Sequence, residues 1–136
     1  TAKCFDVEPK IAMLSFSNFG SAKHPLSDKV RIATDIIKKR RPDLIIDGEM
    51  QADTAVMPDI LKETYPFSKV QGDVNVLIFP DLQSGNIAYK LLERLGGAET
   101  IGPLLLGMKK PVNILQRGAS VNTIVHIAAI TAVEAQ

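Results

Sequence analysis

Val74-Asn-Val-Leu-Ile-Phe-Pro-Asp-Leu-Gln-Ser-Gly-Asn86 decides the fold. Val74 to Phe79 is nearly all apolar, as a strand covered on both faces must be, and Pro80 stops it. Asp81 or Ser84 then caps a helix carrying Ala88, Leu91, Leu92 and Leu95, which Gly96-Gly97 terminates. The same alternation runs outward in both directions. Upstream, Ile11-Ala-Met-Leu-Ser-Phe16 predicts a buried strand, and Leu26, Val30, Ala33 and Ile37 line one face of a helix. Leu44-Ile-Ile46 is a second short strand, and Ala52 to Glu63 a second helix, interrupted or restarted at Pro58. Downstream, Ile101 to Gly107 and Val112 to Leu115 predict two further strands. Ser120 then caps a last helix with Val121, Ile124, Val125, Ala128 and Ala132 facing inward. Strand and helix alternating about every thirty residues mark βαβ units, an α/β fold and a mainly parallel sheet.

Composition sets the outer limits. The chain has 136 residues with 16 basic and 15 acidic side chains, a net charge of +1. That balance gives no electrostatic case for nucleic acid or an anionic membrane surface. A chain of this size removes roughly two-thirds of its unfolded surface from water, enough for a real core. Cys4 is the one cysteine, so no internal disulfide forms and a reducing, cytoplasmic setting is expected. The longest apolar run, Ile124 to Val133, falls short of the ~18 residues of a membrane span. Thr1 opens the sequence without an initiator methionine, and Ala2 and Phe5 read as the last turn of a helix ended by Glu8-Pro9. A piece of a longer polypeptide is expected.

In parallel sheets ligands bind beyond the carboxyl ends of the strands, where loops enter helix N-termini. The loop Ser15-Phe-Ser-Asn-Phe-Gly-Ser21 offers Ser15, Ser17, Asn18 and Ser21 as donors and Gly20 for close approach, with Lys23 nearby. A turn that satisfies its own backbone explains the same residues. Asp81, Gln83, Ser84 and Asn86 cluster at a helix start, and capping accounts for only part of them. In Leu115-Gln-Arg-Gly-Ala-Ser120, Arg117 stands beside the free N–H groups of the last helix, an arrangement that favours a phosphate-type anion over a structural ion pair. Lys38-Lys-Arg-Arg41 reads as a solvated helix end. Asp47, Glu49 and Asp53 suit turn or cap roles better than a metal site. His24, His126 and Cys4 have no catalytic partner at a recognisable spacing, and the methionines read as core filler.

Ile101-Gly-Pro-Leu-Leu-Leu-Gly107, Lys110-Pro-Val-Asn113 and Arg117-Gly-Ala-Ser-Val121, together with Phe79 to Asn86, resemble the C-terminal part of the phosphate acetyl/butyryltransferase family. The resemblance runs from about Glu8 to the C-terminus. It implies a three-layer α/β/α, isocitrate-dehydrogenase-like fold, of which residues 1–136 are the C-terminal portion. The family's phosphate-binding arginine matches Arg117 and the following glycine Gly118. The preceding serine is replaced by Gln116, and the aspartate expected to take the CoA thiol proton falls at Thr123. Ser17-Asn-Phe-Gly-Ser21 looks instead like the phosphotransacetylase-like domain of large bacterial NADP-dependent malic enzymes. That likeness implies a non-catalytic regulatory and oligomerisation domain that binds acetyl-CoA, or a related acyl-CoA, as inhibitory effector. An N-terminal malic enzyme domain of the same chain would decarboxylate malate with NADP and a divalent Mg or Mn ion, and a dimer or larger homo-oligomer is expected. The ligand residues so implied are Ser15, Ser17, Gly20, Ser21, Gln83, Asn86, Arg117, Gly118 and Ser120, with no cofactor held by this segment. The alternative is a phosphate acetyltransferase making acetyl-CoA from acetyl phosphate and CoA.

Overall fold

The computed structural model describes residues 2–136. They form two compact units, Glu8–Tyr89 and a second made of residues 2–7 with Lys90–Gln136. The first unit carries the sheet. Its strands β1 (Lys10–Leu14), β2 (Ile45–Met50) and β3 (Val76–Ile78) are parallel and stand in the order β2-β1-β3. Side chains alternate along β1 and divide the core between its two faces. Ala12 and Leu14 pack with Met50, Ala55 and Leu61, the last two supplied by the short helices α2 (Ala52–Val56) and α3 (Pro58–Thr64). Met13 packs with Val30 and Ile46, joined by Ile11, Ala33, Ile37 and Leu44, under helix α1 (Pro25–Arg40). Helix, sheet and helix therefore form the expected three layers. Each fully buried side chain such as Leu61 contributes roughly 1.5–3 kcal/mol.

Local chemistry sets the helix ends. His24 caps α1 by accepting the Leu26 N–H on Nδ1 at 3.1 Å; Pro25 occupies the first turn, and Lys38, Lys39 and Arg40 face the negative end of the dipole. The basic run is a helix end, as expected, but two of its members have specific partners. Lys38 pairs with buried Asp47, and Arg41 grips Asp43 at 2.8 and 2.7 Å, which raises the arginine pKa further. Pro58 splits the second helix, because a proline cannot donate the hydrogen bond that would continue α2.

The β1–β2 register contains one irregularity. Met13 pairs with Gly48 and Leu14 with Met50, leaving Glu49 as an extra, unpaired residue, a β-bulge. Gly48 is required there: a Cβ would lie 2.5 Å from the Met13 carbonyl oxygen, and its φ is +140°.

Helix α4 (Leu82–Arg94) follows β3 under an Asp81 cap. The second unit contains a short 3-10 turn (Ala2–Phe5) and helix α5 (Val121–Glu134). Its two expected strands, 101–107 and 112–115, do not form. Pro103 and Pro111 remove backbone donors, and a strand needs an edge to pair with, which these segments lack among the described residues. Side chains secure the segment instead: Leu105 N–H donates to Asn113 Oδ1 at 3.0 Å, and Asn113 Nδ2 to Thr131 Oγ1 on α5 at 2.8 Å. The inward face of α5 also differs, with Ile127 buried and Val121 75% exposed. The helix is apolar almost all round, so periodicity cannot single out one face. In α4, Leu91 and Leu92 are likewise exposed rather than inward, and Leu95 lies exposed just beyond its end. No helix among the described residues is long and apolar enough to cross a membrane.

Candidate functional site

With β1 central and the chain passing from β2 to the far edge at β3, the carboxyl ends of β1 and β3 diverge into separate loops, the position where open parallel sheets hold ligands. A cavity of about 320 Å³ lies there. Leu14, Ser15 and Phe16 at the exit of β1 form one wall, Phe79, Pro80 and Ser84 after β3 the other, with Ala52 of α2 between them. A smaller hollow of about 100 Å³ beside it reaches Leu26, Lys29 and Asp81. The Lys29 ammonium donates to the Pro80 carbonyl at 2.8 Å and so ties α1 to the second wall. The lining is apolar except for hydroxyls and carbonyls, the usual make-up of a small-molecule crevice.

The Ser15–Ser21 loop borders this cavity, but its polar groups divide into two sets. Ser15 lines the cavity, whereas Ser21, though exposed, uses its hydroxyl within the loop by accepting the Asn18 N–H at 2.9 Å. Ser17 and Gly20, expected as ligand donors, are already engaged. Ser17 is fully buried; its hydroxyl donates to Glu49 Oε1 at 3.0 Å and accepts the Ala22 N–H at 3.0 Å. The Gly20 N–H donates to the same carboxylate oxygen at 2.6 Å. The physical reason is the bulge, which turns Glu49 under the loop, where its charge attracts the nearest donors. Phe19, at φ +46°, donates its N–H to the Glu49 carbonyl at 2.8 Å, and Gln51 N–H donates to Asn18 Oδ1 at 2.7 Å.

Glu49 is thus the residue whose importance the residue pattern understated. The available signal was its setting: Asp47 and Glu49 lie between Ile46 and Met50, and carboxylates inside an apolar strand must find partners. Asp47 finds Lys38, the Ser68 hydroxyl and the Lys69 N–H. Asp53 receives the Thr54 N–H at 2.8 Å within the first turn of α2, whose cap position is Gln51. No cluster of three or more metal-ligating side chains occurs among the described residues.

At the start of α4, Asp81 accepts the Ser84 N–H at 2.7 Å and the Ser84 hydroxyl at 2.9 Å, and these bonds hold its carboxyl below the ordinary aspartate range. Gln83 and Asn86 are exposed three residues apart, hence on one side of the helix. In the second unit, Ser120 caps α5 by accepting the Thr123 N–H at 3.2 Å, and the Thr123 hydroxyl lies 3.0 Å from Ser120 Oγ. The N–H groups of Val121 and Asn122 have no intrahelical acceptor at that end. Arg117 and Gly118 stand exposed just before it, and Arg117 has no ion-pair partner among the described residues. A cation and unsatisfied helix N–H groups are the chemistry an anion would require. His126 is half-exposed with Glu99 at 3.6 Å, and Cys4 is exposed and free.

Fold and crevice together define an α/β protein of the parallel-sheet, strand-end-binding class. Residues 1–132 match the family model for phosphate acetyl/butaryl transferase, and the chain belongs to that family. It is 54% identical over 134 residues to the phosphate acetyltransferase of Clostridium acetobutylicum, covering 98% of this chain and 40% of that protein. The Bacillus subtilis phosphate acetyltransferase is 47% identical over 135 residues, 99% of this chain and 42% of the relative. The crystal structure of a phosphotransacetylase from Streptococcus pyogenes superposes with a TM-score of 0.91 at 54% identity, over 98% of this chain and 41% of that one. The EutD phosphotransacetylase from Staphylococcus aureus gives a TM-score of 0.93 at 43% identity, over 99% and 42%. The chain therefore spans about two-fifths of the length of these relatives.

These relatives correct the expected function. The non-catalytic, acetyl-CoA-sensing domain of a malic enzyme is overturned, because relatives near half identity along the whole chain are phosphate acetyltransferases. The departures at Gln116, Thr123 and the Ser17–Ser21 loop are local, and identity spread over 134 residues outweighs them. NADP, a divalent metal and an N-terminal malic enzyme domain were implied only through that likeness and lose their basis with it.

Proposed function

We propose that this chain is the C-terminal portion of a phosphate acetyltransferase that forms acetyl-CoA and phosphate from acetyl phosphate and CoA. The observation that carries the reading is 54% identity to a phosphate acetyltransferase across 98% of this chain, in a sequence that keeps Arg117-Gly118 at the start of α5. The thiol sulfur bonds to the acetyl carbonyl carbon, the bond from that carbon to the phosphate oxygen breaks, and phosphate departs. Arg117 and the first N–H groups of α5 hold the phosphate oxygens, where charge-assisted hydrogen bonds act most strongly on the developing negative charge. Gly118 and Ser120 shape that turn, and the first unit's own crevice offers the Ser15 hydroxyl. Thr123 cannot accept a proton near neutral pH, so the thiol proton goes to the departing phosphate, which leaves as hydrogen phosphate. The substrates are acetyl phosphate and CoA, the setting is cytoplasmic, and the active form is a homo-oligomer.

The test is thioester formation by the full natural polypeptide given acetyl phosphate and CoA, with release of one phosphate per thioester. Stoichiometric acetyl-CoA and phosphate are expected. Hydrolysis of acetyl phosphate without thioester, or no reaction, would refute acyl transfer.

A further inference from the structure

We infer that Glu49 is a positioning residue for substrate binding: from the β2 bulge its buried carboxylate holds the Ser17–Gly20 turn, and thereby the Ser15–Phe16 wall of the crevice, in the binding geometry. The inference rests on the acyl-transfer reading. Three observations carry it. The bulge exists only at Glu49, between a glycine that a side chain could not replace and Met50, and bulges of this kind re-aim a side chain beside a site. One oxygen, Oε1, takes both the Ser17 hydroxyl at 3.0 Å and the Gly20 N–H at 2.6 Å, 32 and 29 residues away in sequence. The other oxygen, Oε2, is buried with no hydrogen-bond partner among the described residues. A carboxylate with 1% exposure and half its acceptor capacity unused is an expensive way to close a turn, and such exceptions in a folded protein point to function.

Glu49 lies beneath the loop and does not line the cavity, so it touches no reacting atom. Its effect reaches substrate through the wall it fixes. Ser17 is two residues from Ser15, and the Ser15 N–H itself bonds to the Met50 carbonyl at 2.9 Å, so the bulged strand holds both ends of this turn.

The experiment compares wild type, Glu49→Ala and Glu49→Gln in the full natural polypeptide, by steady-state kinetics with acetyl phosphate and CoA and by amide hydrogen exchange. Glu49→Ala is expected to raise KM for at least one substrate about ten- to a hundredfold while kcat changes far less, the signature of lost uniform binding. Exchange in residues 17–22 rises and that of β1 stays unchanged. Glu49→Gln keeps one acceptor for both donors and restores most of the KM. A merely structural role predicts a lower active fraction, so kcat falls at unchanged KM, and that result overturns the proposal. Unchanged exchange in residues 17–22 overturns it independently of any activity. If Glu49→Ala does not fold, Glu49→Asp, which retains the charge but withdraws it by one methylene, must show the same KM rise or the proposal fails. A wild type that forms no thioester would sink the acyl-transfer reading and the kinetic role with it; faster exchange in Glu49→Ala would still identify the carboxylate as what holds the turn.

Discussion

Replacing Asp47 by alanine tests how the first unit is held together. Asp47 is 4% exposed and accepts from Lys38 Nζ, from the Gly48 N–H at 2.9 Å, from the Ser68 hydroxyl at 3.1 Å and from the Lys69 N–H at 2.7 Å. It therefore joins α1, β2 and the segment after α3 through one carboxylate. Breaking a buried pair by removing one partner costs about 3–5 kcal/mol, because the other charge and its donors lose their compensation. The Lys38 side chain is 35% exposed and can rehydrate, which places the expected cost near the lower end, about 3 kcal/mol. Asp47→Asn keeps its carbonyl oxygen for Ser68 and Lys69 but turns an amide NH2 toward Lys38 and the Gly48 N–H, losing the ion pair and one hydrogen bond, an expected cost of about 2 kcal/mol. Urea unfolding of the full polypeptide, followed by a probe in this unit, measures both. At a slope of about 2 kcal/mol per molar, the alanine variant unfolds about 1.5 M earlier than wild type. An alanine variant within about 1 kcal/mol of wild type would refute the cross-linking role, and equal losses for alanine and asparagine would refute the division between charge and hydrogen bonding.

Three further outcomes are expected. Because Ser84 holds Asp81 ionised to lower pH than an ordinary aspartate, the capping contribution to α4 is complete above the unfolded-state pKa and is lost as pH falls through the folded one. A carboxyl-carbon NMR titration should place Asp81 below the usual range and Ser84→Ala should move it part of the way back; an unmoved titration would acquit the Ser84 hydroxyl. Arg117→Ala in the full polypeptide should raise KM for acetyl phosphate about ten- to a hundredfold without changing the oligomer, and unaltered kinetics would remove Arg117 from the phosphate site. Thr123→Asp places a base where a threonine hydroxyl now stands, and should raise kcat about tenfold or more with its pH profile shifted to lower pH; an unchanged rate would mean that proton transfer to phosphate suffices.

Much of the first unit was legible in the residues. The apolar runs 11–16, 44–46 and 74–79 mark the three strands, although Ile78 is 42% exposed, so β3 is not covered on both faces as expected; Pro58 and Gly96 mark helix boundaries by local chemistry. The Ser120 cap of α5 was also legible, since a serine before an apolar helix needs no distant partner. The second unit was less legible, because α5 is apolar on nearly every side and a strand-like segment around Leu104 forms no strand without an edge to pair with.

The sequence by itself determined the alternation of elements through the first unit and the parallel α/β class, which follow from period and turn residues, while the order of its motifs carried the resemblance to the family. Only the tertiary structure decided what the polar loop does. Ser17 and Gly20 carry the same donors whether they meet a ligand or the protein, and their partner, Glu49, is 32 residues from Ser17 and 29 from Gly20. A one-residue slip in the pairing of β1 with β2 sends that carboxylate inward, and register is a property of two strands together, invisible in either alone.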